Sequence, residues 1–155
     1  MKTNGLIKRI LVPTDGSALA NQAARYAAEI AKCFGAEITV LNAISTTVFT
    51  EFVTYAIGGT AGSKEQLWQS GTDIVEATKK TVLRAEVPVH TKIIEGPAVE
   101  VILRETSEGR YDLIAMGSRG AGASLVQRAV FGLGSVAERV IASAPCPVLV
   151  IREEG

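Results

Sequence analysis

Cysteine is nearly absent. Cys33 and Cys146 are the only two among 155 residues, and they stand far apart. Neither belongs to a C-x-x-C pair or sits near the single histidine, His90. This spacing supplies neither a disulfide framework nor a metal-ligand set, and it fits reduced, structural thiols in the cytosol. Aromatic residues are scarce, at 5%. Neither sign of charge is in excess: 16 Lys and Arg face 16 Asp and Glu. A neutral chain sets up no global field for nucleic acid or an anionic membrane. No apolar run reaches the roughly 18 residues that a membrane-crossing helix needs. The opening Met1-Lys2-Thr3-Asn4-Gly5 is followed by one short apolar stretch and not by a signal-peptide core. The expected location is cytoplasmic.

Catalytic signatures are missing too. The sequence has no G-x-S-x-G elbow and no Ser or Cys beside an obvious base. It has no G-x-x-x-x-G-K-[ST] loop, which excludes a P-loop enzyme. No G-x-G-x-x-G follows the first strand, which argues against a dinucleotide-binding domain, and no paired-carboxylate motif stands out. Binding is therefore expected rather than catalysis.

What is present is an alternation of short apolar runs and helical patterns. Leu6 to Pro13 holds the run Ile10-Leu11-Val12, bounded by the turn formers Pro13 to Ser17. Such a run reads as a strand buried on both faces. Leu19, Ala23, Ala27, Ile30, Ala31 and Phe34 follow at helical spacing, with Ser17 as N-cap and Gly35 as stop. Further strands are expected at Glu37 to Ala43, Pro88 to Glu95, Leu113 to Met116 and Val148 to Ile151. Helices are expected from Lys64 to Arg84, from Gly96-Pro97 to Gly109, and after Gly134. Ser45 to Ser63, which holds the breaker pair Gly58-Gly59, reads as a long loop with a turn of helix. At about 47% apolar residues in one domain-sized length, the chain can bury a core without staples. Strands alternating with helices predict one α/β domain with a parallel sheet and right-handed crossovers.

Ligands of open α/β sheets bind outside the carboxyl ends of the strands, at the point where strand order reverses. The residues after each strand therefore carry the functional expectation: Pro13-Thr14-Asp15-Gly16-Ser17, Asn42-Ala43-Ile44, and Gly117-Ser118-Arg119-Gly120. Glycines at 117, 120, 122, 132 and 134 allow positive φ and close backbone approach to a ligand. A helix opening at Gly134-Ser135 adds free N–H donors, a dipole end and a hydroxyl. These features suit phosphate, or else a plain flexible connection. Asp15 either accepts from a ribose hydroxyl or closes an Asx turn. Arg119 either neutralises phosphate or is a solvated loop charge. His90 reads as a surface or packed strand residue. Phe49, Phe52 and Tyr55 line an adenine pocket or anchor their own loop.

Taken in order, these pieces resemble one family. Val12-Pro13-Thr14-Asp15-Gly16-Ser17, Glu95-Gly96-Pro97-Ala98, Asp112 to Gly120, Gly134 to Val140, and Pro145 to Val150 are similar to the corresponding segments of universal stress proteins. The resemblance covers essentially the whole chain. It implies a Rossmann-like fold of the adenine nucleotide alpha hydrolase type, with five parallel strands in the order 3-2-1-4-5 and helices on both faces. In the nucleotide-binding branch, the residue matching Asp15 contacts ribose or adenine, and the backbone matching Ala43 contacts adenine. Residues matching Gly117, Gly120, Gly134 and Ser135 hold phosphates. Pro13, Thr14, Met116, Arg119 and Val136 complete the implied site. ATP is the implied ligand, with a divalent ion such as Mg or Mn.

One departure is visible. Thirteen residues separate Gly120 from Gly134, where the family pattern has nine. The excess is close to one helical turn of about 3.6 residues, so lengthening Ala123 to Phe131 by a turn would keep both ends in place. A rival register, Gly122 to Gly132, keeps the spacing but puts Leu133 at the hydroxyl position. The resemblance also implies an edge position for Val148 to Ile151, and hence a homodimer through that strand. Three functional readings stay open: an ATP-binding regulator of stress response, a nucleotide-free dimeric interaction module, and a slow ATP hydrolase.

Overall fold

Ile10, Leu11 and Val12 have no exposed surface, as a strand covered on both faces requires. They form β1 (Arg9–Pro13) in a computed structural model that describes residues 5–44, 64–120 and 132–153. Leu6, read with this strand from the sequence, stands outside it and is 89% exposed. The first helix, α1 (Ala18–Phe34), starts and stops where the sequence places it. Ser17 Oγ accepts from Ala20 N at 3.3 Å, and Gly35 ends the helix in the left-handed conformation at φ 70°. That conformation carries little penalty for glycine.

The remaining elements are β2 (Glu37–Ile44), α2 (Lys64–Leu83), β3 (Val89–Glu95), α3 (Ala98–Glu108), β4 (Leu113–Gly117), α4 (Ser135–Ser143) and β5 (Val148–Ile151). The strands make one parallel sheet in the order β3-β2-β1-β4-β5, the expected topology. β2 runs one residue past the expected end at Ala43. Its pairing with β3 continues through Ala43↔Ile94 and Ile44↔Glu95, so Asn42, Ala43 and Ile44, also expected as residues that follow the strand, all belong to it. The long loop expected before α2, with Phe49, Phe52 and Tyr55, lies outside the described residues. So does the stretch Ala123 to Phe131, including the proposed extra turn, and Gly122.

Two layers of helix cover the sheet. Ala24, Ala27, Ala28 and Ala31 of α1 pack with Val75 and Val82 of α2 against Ile10, Val12, Ile38, Val40 and Ala115. The small alanine side chains let α1 lie close on the strands. On the other face, Val99 and Ile102 of α3 and Ala137 and Val140 of α4 cover Leu11, Leu41, Ile114 and Met116. Each fully buried aliphatic side chain contributes roughly 1.5–3 kcal/mol. β1 runs on into α1 on one face. β4 leads toward α4 on the other. Their carboxyl ends therefore diverge and leave an opening between them.

Candidate functional site

That opening is a cavity of about 340 Å³, within the range of small-molecule sites. Pro13, Thr14 and Asp15 line it at the exit of β1, and Ala43 lines it from β2. Met116, Gly117, Arg119 and Gly120 line it at the exit of β4, and Gly134, Ser135 and Val136 at the start of α4. These are the residues that the resemblance implies for the site; Gly16, Ile44, Ser118 and Gly132, also named from the sequence, do not line the cavity. The wall also includes Ser17 and Ala20 of α1, Leu41 and Asn42 of β2, Ala98 and Ile102 of α3, and Ala137. Pro97-Ala98 was a visible signal for the α3 contribution, because that helix also starts at a strand's carboxyl end. Leu41 and Ile102 carry no signal of their own, being ordinary apolar core residues in sequence.

The β1–α1 turn is fixed from several sides. Thr14 N donates to Leu41 O at 2.8 Å, and Asn42 Nδ2 donates to Thr14 O at 2.8 Å. The Thr14 hydroxyl points away toward α2, 3.2 Å from Thr78 Oγ1, and it accepts from Gly16 N at 3.1 Å. Thr78 in turn donates to Asn21 Oδ1 at 3.3 Å. Thr14, Asn42 and Thr78 are all buried. Asp15 Oδ1 accepts from Ser17 N at 2.9 Å, which is an Asx turn. Its other oxygen, Oδ2, faces Gly120, where a Cβ would collide with it. The turn reading of Asp15 is therefore present in the structure, and the carboxylate still stands at the cavity.

The glycines divide by role. A Cβ on Gly117 would come within 2.8 Å of Leu19 Cβ and 3.2 Å of Ala20 N. Gly117 is thus required for packing against the start of α1. Gly120 leaves room for the Asp15 carboxylate. Gly134 has φ −75°, so its glycine does not serve a left-handed backbone, contrary to the general expectation for this segment. Its N donates to Ser118 O at 2.7 Å, tying the start of α4 to the exit of β4. Gly132, at φ 63°, does use the left-handed region.

The helix ends differ as well. α1 is capped by Ser17, whereas no side chain caps α4 at Gly134 or α3 at Pro97. Ser135, Val136 and Ala137 of α4 and Ala98 of α3 line the cavity. Two uncapped amino ends, with their positive dipole ends and open N–H donors, therefore border it.

Arg119 is not a solvated loop charge. Its side chain is only 11% exposed, and Nη2 lies 2.5 Å from Glu153 Oε2. Its Nε is buried without a hydrogen-bond partner among the described residues, as is Ser118 Oγ. Asp15 is the one carboxylate among the described residues of the wall, and no group of three or more His, Cys, Asp or Glu converges among the described residues.

Outside the cavity, His90 is an exposed residue of edge strand β3, 3.7 Å from Glu37. Glu105 is buried and joins Lys92 Nζ at 2.6 Å and Tyr111 Oη at 3.2 Å. The Glu105 contact, against the cost of burial, raises the Lys92 pKa. Cys146 is half-buried, and burial first, then Asp112, pushes its thiol pKa up. This agrees with a structural role. No helix among the described residues is long and apolar enough to cross a membrane.

Comparison with known proteins gives a consistent picture. The family model described as the universal stress protein family matches residues 6–152. A universal stress protein of Methanocaldococcus jannaschii is 36% identical over 148 residues, covering 96% of this chain and 84% of its own length. Among solved structures, universal stress protein UspA from Lactobacillus plantarum superposes with a TM-score of 0.73 at 25% identity, over 96% of this chain and 100% of its own. A universal stress protein in complex with cAMP has a TM-score of 0.73 at 18% identity, over 97% and 100% of the two chains. An Arabidopsis thaliana family member with AMP bound has a TM-score of 0.66 at 17% identity, over 96% and 93%.

Proposed function

The chain belongs to the universal stress protein family, and from that premise we propose that its cavity binds an adenine nucleotide, ATP, and that the protein acts as a nucleotide-dependent regulator in stress response. The observation that carries this is the convergence of an uncapped α4 amino end, the buried Arg119 cation and Asp15 on one cavity at the reversal of strand order. An anion is favoured at the first two, and a hydroxyl-rich nucleoside at the third. The relatives bound to cAMP and AMP support adenine nucleotides as the ligand class. Phosphates would rest on the N–H groups after Gly117 and at Ser135 and Val136, with a divalent ion such as Mg or Mn shared between phosphate oxygens and Asp15 or Ser135. The ribose would face Asp15, and adenine the Ala43 side between Pro13, Thr14 and Met116.

The protein also pairs through β5 as a homodimer in this proposal. β5 is an edge strand whose Val148, Leu149 and Val150 are partly exposed, and pairing would satisfy its open edge.

Calorimetry on two variants tests the nucleotide reading. Ser135→Ala should weaken ATP by roughly ten- to a hundredfold, through loss of a hydrogen bond to a charged group worth about 1.5–3 kcal/mol. Asp15→Ala should weaken adenosine and ATP alike. ATP binding unchanged in both variants would place the nucleotide elsewhere. Phosphate release over time separates binding from slow hydrolysis.

A further inference from the structure

We propose that Glu153 is a competing anion of the chain itself that selects the ligands of the cavity: phosphorylated ligands must displace it from Arg119, and unphosphorylated ones leave it in place. The proposal rests on the nucleotide reading above and deepens it. Three observations carry it. Arg119 lines the cavity, and its side chain is largely buried. Its charge is met by a carboxylate from the segment after β5, at 2.5 Å, and that carboxylate is 55% exposed. Its Nε is buried with no partner among the described residues, so the fork of donors is incompletely filled.

The pair is therefore asymmetric. The cation is fixed in the protein, while the anion sits at the surface and returns to water at little cost. A buried guanidinium needs an anion and prefers one that fills two donors in parallel. A phosphate offers that geometry, and Glu153 at Nη2 leaves Nε open. A phosphoryl group reaching Arg119 gains the second donor and releases Glu153. Adenosine, with no anion, gains nothing from Arg119 and does not disturb the pair.

Exchange also reaches the sheet edge. Glu153 lies two residues beyond β5, and Ile151 O accepts from Ser118 N at 2.8 Å, next to Arg119 in the chain. Release of Glu153 frees the chain immediately after the edge strand. By linkage, whatever holds Glu153 elsewhere raises affinity for phosphorylated ligands by the factor by which those ligands raise its own affinity.

The test is calorimetric titration of the full chain, Glu153→Gln and Arg119→Gln/Glu153→Gln with adenosine, ATP and inorganic tripolyphosphate. Glu153→Gln should bind ATP and tripolyphosphate about three- to tenfold more tightly than the parent, since removing a half-exposed ionic competitor is a modest change. Adenosine affinity should stay within about twofold, and the double variant should lose the gain. Failure of adenosine to bind the parent would refute the nucleotide reading, while tripolyphosphate still reports on the competitor. Equal affinity of parent and Glu153→Gln for tripolyphosphate, or binding to neither, overturns the proposal. So does an equal rise for adenosine, because a merely loosened cavity would admit both.

Discussion

Gly117 and Gly120 look alike in sequence, and the structure makes them respond differently to the same added methyl group. At Gly117 the new Cβ would meet the Leu19 Cβ at 2.8 Å, the Leu19 carbonyl carbon at 3.1 Å and Ala20 N at 3.2 Å. Two of those atoms are backbone of α1, whose first turn is held by the Ser17 cap, so the neighbour cannot swing aside. Overpacking of this kind costs about 1–3 kcal/mol. In a chain of this size each kcal/mol moves Tm by roughly 2–4 °C. Gly117→Ala should therefore lower Tm by about 2–12 °C. At Gly120 the Cβ would collide with Asp15 Oδ2 alone, the end of a side chain. The carboxylate is a movable group, and among the contacts its rotation disturbs is the bond that Oδ1 accepts from Ser17 N. Gly120→Ala should change Tm by less than about 3 °C, equivalent to roughly 1 kcal/mol, yet displace Asp15 and weaken adenosine. Differential scanning calorimetry with adenosine titration reads both effects. A Gly117→Ala protein as stable as the parent, or a Gly120→Ala protein with intact adenosine binding and a large loss of Tm, would refute this division.

Asn42→Ala removes the donor to the buried Thr14 carbonyl; it should destabilise by about 1–3 kcal/mol in urea unfolding, and it should also weaken adenosine, because the β1–α1 turn loses its tie to β2. The two cysteines should separate in a thiol titration: Cys33 is exposed and should react first. Cys146, whose pKa is raised by burial and by Asp112, holds less thiolate at any given pH near 8 and should react slowly, at a rate that keeps climbing as pH rises further. Equal rates for the two thiols would contradict the packing around Cys146.

Much of this fold is legible because its local signals agree. The run Ile10-Leu11-Val12 is apolar without alternation, which fits a strand inside a covered parallel sheet. Ser17 and Gly35 bracket α1 by capping chemistry that depends on near neighbours alone. The strand order followed from the family resemblance and not from any pattern within the strands. The end of β2 is less legible, because nothing in Asn42-Ala43-Ile44 marks where the pairing with β3 stops, and the strand runs one residue past Ala43. The site was legible as a set of strand exits. Its internal chemistry was not, since it depends on distant partners. The role of Gly117 depends on Leu19, and that of Gly120 on Asp15. The pairing of Arg119 with Glu153 joins residues that composition gives no reason to connect.

The most direct measurement is on the freshly purified protein: denature it, chromatograph what it releases, and titrate the emptied, refolded chain with ATP. Released adenine nucleotide, or saturable ATP binding that Asp15→Ala weakens, is the expected result. A protein that releases no adenine nucleotide and gives no heat with ATP at millimolar concentration would contradict the claim that this cavity is a nucleotide site.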